Sequence, residues 1–273
     1  MEIKAADVAK LRKMTGAGMM DCKKALEEAN GDYERAQEII REKGKLVSAK
    51  RADRTATEGV VVAKVVDGTK AYMTCLACET DFVAKNEDFS KSAKEILEIA
   101  VTNDVADKET LLSTKIGNVT VADMVTEKSG QTGEKVELPY YGKIEAPLCV
   151  IYIHSNKKLG AMIGFNKVIP QEVAYDVAMQ AAAMAPISIS EHDVPAEIVE
   201  KERHIGREQA RLEGKPEAML DKIAEGKLRK FFSESTLLNQ AFVKDPKKTV
   251  DAYIKSADKD ATVIAYQRFS LND

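Results

Sequence analysis

Thr80-Asp81-Phe82-Val83-Ala84-Lys85-Asn86 sets a large aromatic beside an acid in a polar turn, after a strand-like run (72–78) and before a helix-like one (88–101). The chemistry open to such a group is desolvation. Burying a phenylalanine gains about 1.5–3 kcal/mol, so one left in a wet turn is costly. Phe82 therefore either tucks into its own core or is held out for a partner. Just before it, Cys75 and Cys78 make a Cys-x-x-Cys pair, a spacing that invites metal or thiol chemistry. A structural zinc site takes two further ligands at similar spacing, and none follows. On a strand, positions three apart also face opposite sides, so the pair is expected as buried, reduced thiols.

Other reactive arrangements are absent from the sequence. The three histidines, His154, His192 and His204, form no His-x-x-x-His, and there is no Gly-x-Ser-x-Gly elbow. No phosphate-binding Gly-x-x-x-x-Gly-Lys-Ser/Thr loop occurs, so the chain is not expected to bind nucleotide directly. Gly16-Ala17-Gly18 is too short and lies between helices rather than after a strand. A binding protein without metal or cofactor, not an enzyme, is the expectation.

Composition narrows the partner. With 41 basic and 44 acidic residues the net charge is −3, which gives no reason to expect a nucleic-acid binder, usually marked by a strongly basic face. Zero tryptophans and 5% aromatics leave little for base stacking. No apolar run reaches the roughly 18–20 residues of a membrane span. Residues 1–12 alternate charges, and Glu2 and Asp7 argue against an acid-poor transit peptide, so a cytoplasmic protein is expected. The 273 residues suffice for two or three small domains with real cores.

The elements that must position Phe82 can be read from periodicity. Val8, Leu11 and Met14 lie at helical spacing, residues 19–29 give a second helix ending at Asn30-Gly31, and Asp32 caps a third carrying Tyr33, Ala36, Ile39 and Ile40. Three short helices with tight turns resemble a ubiquitin-associated-type module, expected over residues 1–44, with a basic linker over 45–57. Residues 59–66 and 70–78 predict a hairpin at Asp67-Gly68, followed by a helix. A second hairpin (147–154 and 159–168, around Ser155-Asn156-Lys157) precedes another helix, 171–184, bounded by Pro170 and Pro186. These predict two related α+β subdomains, 58–140 and 141–273, each a small antiparallel sheet covered by helices. Ile198, Ile205 and Leu212 stand seven apart like a coiled-coil seam, with a return helix of Met219, Leu220, Ile223, Leu228 and Phe231. An antiparallel helical hairpin over about 194–232 is expected to protrude from the second subdomain. Residues 250–254 suggest a short helix and 262–269 a last strand for the second sheet. Residues 115–139 mix loop and strand signals.

A second motif, Thr15-Gly16-Ala17-Gly18-Met19-Met20-Asp21-Cys22-Lys23-Lys24-Ala25-Leu26, changes the weight of the first. Together, in order, spacing and flanking sequence, the two segments resemble the signatures of the elongation factor Ts family, guanine-nucleotide exchange factors of the translational GTPase elongation factor Tu. The resemblance covers most of the chain. It implies that Thr80, Asp81, Phe82 and Val83 meet the GTPase domain of that partner, with Phe82 wedged between helices near the magnesium site so that GDP leaves and GTP rebinds. Val83 has an alternative role in fixing the turn. It further implies partner contacts at Met19, Met20 and Lys23 from the N-terminal module, although Met20 could join Leu26 in a core. Weaker matches fall at Ile116, Gly117 and His154, the last equally readable as an ordinary surface histidine. A second contact elsewhere on elongation factor Tu is implied too, and self-association through the helical hairpin stays open. Some family members carry a further C-terminal helical module; with the 262–269 strand so near residue 273, its contact is expected to be missing. Two competing readings remain: a thiol or metal enzyme centred on Cys75 and Cys78, and an adaptor using the helical module alone, which leaves Phe82 unexplained.

Overall fold

The structure, a computed structural model, describes residues 3–272. Three helices come first: α1 (Ala5–Thr15), α2 (Met19–Glu28) and α3 (Tyr33–Lys50). Asp32 starts α3 by accepting the Glu34 and Arg35 amides at 2.9 and 3.2 Å. Val8, Leu11, Cys22, Leu26, Ala36 and Ile40 close a small core between the three. Met14 does not join it, contrary to its helical spacing with Val8 and Leu11; it is exposed, and Thr15 is buried instead.

Next come β1 (Glu58–Val66), β2 (Lys70–Cys78), α4 (Asp81–Ala84), α5 (Glu87–Thr102), α6 (Lys108–Ser113), β3 (Lys115–Ile116), β4 (Val119–Thr120), α7 (Val121–Thr132) and β5 (Glu137–Glu145). The last part runs β6 (Leu148–Ile153), β7 (Leu159–Phe165), α8 (Gln171–Met184), α9 (Ala196–Leu212), α10 (Glu217–Ser235), β8 (Ala241–Phe242), β9 (Asp245–Thr249), α11 (Val250–Ala257) and β10 (Val263–Ser270). The fold is α+β. Two three-stranded antiparallel sheets, ordered β1-β2-β5 and β10-β7-β6, form its centre. The first hairpin turns through Asp67 and Gly68 at φ 50° and 71°, the left-handed pair that a tight hairpin of right-twisted strands requires.

The side-chain alternation of β2 explains the layering. Tyr72, Leu76 and Cys78 face α5, α6 and α7 in one core, with Phe89, Ala93, Ile96, Leu111 and Val125. Ala71, Met73, Cys75 and Ala77 face the other way, against Cys149 and Met162 of the second sheet. The second sheet is covered in turn by α8 and α11 through Phe165, Ala174, Val177, Val250 and Ile254. The order is therefore helices, sheet, sheet, helices, with β2 apolar on both faces because both are buried.

Three expected segments gain detail from the structure. The division at 140/141 falls inside β5, which runs to Glu145 and pairs with β2 from Lys70↔Glu145 to Ala77↔Glu137, so the first sheet extends five residues further than expected. The linker over 45–57, expected as a solvated and partly helical connector, starts as helix: α3 continues to Lys50, and Gly44 seats on Gly130 of α7, where tertiary contact stabilises turns whose basic residues show no core pattern. In the helical hairpin the seam is not the heptad set. Gly206 and Ala210 pack on Leu220, Ala224 and Leu228, while Leu212 is 88% exposed at the tip.

The Gly44–Gly130 seat gives a testable contrast. A Cβ on Gly130 would stand 2.6 Å from the Gly44 Cα, a backbone atom that cannot swing away. Overpacking costs about 1–3 kcal/mol, against a helix-propensity gain of roughly 0.8–1, so Gly130→Ala is expected to destabilise. Gly226, in α10, has nothing within 4 Å of its missing Cβ, so Gly226→Ala should stabilise by roughly 0.5–1 kcal/mol. Urea midpoints at unchanged m-value read both; shifts of the same sign would refute the assignment of the seat.

Asp104, just after α5, ties the helix layer to the first sheet. Its carboxylate takes hydrogen bonds from Lys143 and Lys70 at 2.7 and 2.8 Å and from the Tyr72 hydroxyl at 2.5 Å. The Lys143 ammonium foremost, then Lys70 and Tyr72, hold its pKa well below the usual carboxylate range. A depressed folded pKa means that the stabilisation is complete above the unfolded value of about 3.9 and is lost as pH falls from there. Asp104→Asn should consequently flatten the fall of Tm between about pH 5 and pH 2, while lowering Tm at pH 7. An unchanged acid limb in the variant would exclude Asp104 as a contributor.

Candidate partner-binding site

The strand-to-helix turn after β2 is built to a fixed shape. Thr80 caps α4, its hydroxyl accepting the Val83 amide at 3.5 Å and donating to Glu134 Oε1 at 2.6 Å. The amides of Glu79 and Thr80 both donate to Glu134 Oε2 at 3.1 Å. Ala84 is buried and Val83 packs against the Phe89 core, so two of the four α4 residues face inward. Asn86 caps α5 by accepting the Asp88 amide at 2.8 Å. With the neighbours pinned, Phe82 points outward and is 85% exposed. This decides between the two readings of the sequence: Phe82 does not return to its own core. Beside it, Asp81 forms an ion pair with Lys85 at 2.6 Å, and that hydrogen bond holds the Asp81 carboxyl below its ordinary range.

The sequence segment thus divides by role. Asp81 and Phe82 are presented; Thr80 and Val83 hold the turn that presents them. The residues that complete the scaffold, Glu134, Glu79 and Arg51, carried no sequence signal. Arg51 Nη1 donates to both Glu79 oxygens at 2.9 Å, and the Lys135 amide donates to Glu79 Oε1 at 2.6 Å. These partners lie 28 to 56 positions apart along the chain. The Lys135 amide foremost, then Arg51, pulls the Glu79 pKa down.

The other candidates lie on separate elements. Met19 and Met20 are both exposed, Met20 at 64%, at the start of α2, so Met20 does not join Leu26 in the core. Lys23 follows one turn on and faces Glu27 at 3.7 Å. The corner before them is docked to the core: Gln131 donates to the Thr15 carbonyl, and Gly16 lines a cavity of about 200 Å³ together with Val83 and Phe89. Ile116 and Gly117 sit on the small β3–β4 hairpin, where Ile116 and Met14 line a cavity of about 510 Å³ on the same flank. His154 directly follows β6, exposed, its Nδ1 3.0 Å from the Tyr152 hydroxyl. The turn after it, Ser155 to Lys158, shares a cavity of about 590 Å³ with Asp81 and Lys85. The hairpin of the second sheet and the corner before α2 therefore each share a cavity with the Phe82 turn, through different neighbours.

The cysteine pair has no comparable geometry. Cys75 lies in the core between the sheets and Cys78 in the core under the helices. Burial raises both thiols, Cys78 to about 12 and Cys75 further, so neither supplies a thiolate at neutral pH. Among the described residues no group of three or more His, Cys, Asp or Glu side chains is placed to hold a metal ion. None of the described helices is long and apolar enough to cross a membrane.

Comparison with known proteins settles the lineage. The family model described as Elongation factor TS matches residues 79–273, beginning at the residue before Thr80. The chain belongs to the elongation factor Ts family. It is 49% identical over 273 residues to the elongation factor Ts of Azobacteroides pseudotrichonymphae genomovar. CFP2, covering 100% of this chain and 99% of that protein. Elongation factor Ts of Porphyromonas gingivalis (strain W83) is 47% identical over 273 residues, with 100% and 99% covered. That of Christiangramia forsetii is 47% identical over 273 residues, with 99% of each covered. Against these relatives both motifs, the helical module and the helical hairpin fall inside the shared length.

Proposed function

We propose that Phe82 is the wedge with which this chain, a guanine-nucleotide exchange factor of elongation factor Tu, loosens bound GDP. An exchange factor makes no covalent bond. It binds the nucleotide-free GTPase better than the loaded one, and by linkage factor and nucleotide weaken each other equally. Each tenfold loosening needs about 1.4 kcal/mol of differential contact. A phenylalanine held in water by its own fold and buried on docking supplies about 1.5–3 kcal/mol. Its two side-chain torsions also lose little entropy. Entering between helices of the GTPase domain, Phe82 would disturb magnesium coordination without touching the ion, with Asp81 fixing the approach.

The observation that carries this reading is the 85% exposure of Phe82 on a turn whose neighbours are all tied down. In the same reading Met19, Met20 and Lys23 contact the GTPase domain from the helical module, thioethers adapting to the partner's surface. Ile116, Gly117 and His154 flank that contact, and the second sheet with the helical hairpin reaches a further part of elongation factor Tu. We assign the division 1–44, 45–57, 58–140 and 141–273 to these contacts as working units. The chain acts as a non-enzymatic, cytoplasmic translation factor, without cofactor and without direct contact to nucleotide or nucleic acid.

The test is stopped-flow release of fluorescent GDP from elongation factor Tu with and without the purified chain. Acceleration that saturates with chain concentration is expected. Release at the unassisted rate, with both proteins folded, would overturn the proposal.

A further inference from the structure

We propose that Glu134 is a positioning residue for exchange: its carboxylate is the latch that keeps the Phe82 turn in its presenting shape. This deepens the reading of Phe82 given above and rests on it. The hydrogen bonds of Glu134 go to Glu79 and Thr80, ahead of Phe82, rather than to Phe82 itself. It follows Gly133, the left-handed end of α7, and aims its side chain across to the end of β2. One oxygen accepts the Glu79 and Thr80 amides together at 3.1 Å, and the other accepts the Thr80 hydroxyl at 2.6 Å. Donating that proton to Glu134 leaves the hydroxyl lone pairs for the Val83 amide, so a single carboxylate orients the cap of α4.

The connection runs both ways. While Glu134 accepts the amides of residues 79 and 80, Glu79 accepts the Lys135 amide at 2.6 Å, and Arg51 bridges both Glu79 oxygens at 2.9 Å. Two adjacent acids from distant segments thus trade side chain for backbone across the same gap. The Lys135 ammonium continues the junction to the carbonyls of Ala52 and Arg54 at 3.2 and 3.0 Å, just past α3. Hydrogen bonds to a carboxylate are the strong ones, and here they add to the inward packing of Val83 and Ala84 in holding a four-residue helix to one direction. Without the latch the turn samples several shapes, of which only a fraction presents Phe82.

A reduced competent fraction weakens apparent affinity in proportion but leaves the bound complex unchanged. Glu134→Ala should therefore raise the half-saturating concentration for GDP release by about tenfold and keep the saturating rate within about twofold. Phe82→Ala should instead lower the saturating rate. Combined, the two should not multiply: with Phe82 gone, adding Glu134→Ala should change release by less than about twofold. Thr80→Val, which removes only the bridging hydroxyl, should reproduce the Glu134→Ala shift in smaller measure and carries the test if Glu134→Ala does not fold. Circular dichroism and thermal unfolding confirm folding of each variant. Equal effects of Glu134→Ala with and without Phe82 would overturn the latch while leaving Phe82 as the wedge. No effect of Phe82→Ala at all would overturn the wedge itself, and the latch with it.

Discussion

Phe82→Ala is expected to slow saturated GDP release from elongation factor Tu by about tenfold or more, equivalent to about 1.4 kcal/mol or above. Its Tm is expected to stay within about 2 °C of the parent protein, as for an exposed residue whose removal leaves no cavity. The two halves of this prediction come from the same fact. An aromatic 85% exposed contributes almost nothing to its own fold, so whatever it contributes must be made against another surface. Stopped-flow release and a thermal melt on one preparation check both. A large fall in Tm with normal release per folded molecule would place Phe82 in the core after all.

Phe89→Ala should give the opposite pattern. Phe89 lies seven positions on, in the first two turns of α5, and is 2% exposed within the core beneath the sheet. Removing a buried phenylalanine costs about 3–5 kcal/mol through lost transfer energy and the cavity left behind. At this size each kcal/mol moves Tm by about 2–4 °C, so a fall of about 10 °C is expected. Release measured at low temperature on the remaining folded protein should stay close to that of the parent chain. A shift of only a degree or two would mean that the core collapses around the vacancy, and that the α5–sheet contact is softer than its burial indicates. The pair of variants separates presenting an aromatic from packing one, within a single strand-to-helix passage.

The proposed wedge at Phe82 would need rigidity at one exposed point, and the elements on either side of the turn are well anchored. The Phe82 turn leaves the central strand β2, both of whose faces are buried, and enters α5, whose apolar face covers the first sheet. The turn is thus rooted in packed elements on both sides. Met19 and Met20 are positioned differently, on a helical module with its own small core, fastened through the Gly44–Gly130 seat and the Gln131 contact to Thr15.

Wherever a decision depended on neighbours a few positions away, the sequence alone was enough. Pro170 and Pro186 bracket α8 at Gln171–Met184, Asp67-Gly68 turns the first hairpin, Asp32 caps α3, and 250–254 opens α11. Each rests on backbone sterics or a local hydrogen bond that needs no tertiary context. The two motifs were legible for the same reason, as short runs of unusual residue types, and the family followed from them. What the sequence left open was every choice set by partners far along the chain. Strand β5 was hidden because its pairing with β2 is 60 to 75 positions distant. The helical hairpin closes through Gly206 and Ala210 rather than the heptad apolars, because close approach of two backbones outweighed the larger side chains. The direction of Phe82 belongs to this class as well. Burial would favour it inside, but Val83 and Ala84 take the inward positions and Glu134, reaching across from the end of α7, accepts the hydrogen bonds of the turn, leaving Phe82 exposed.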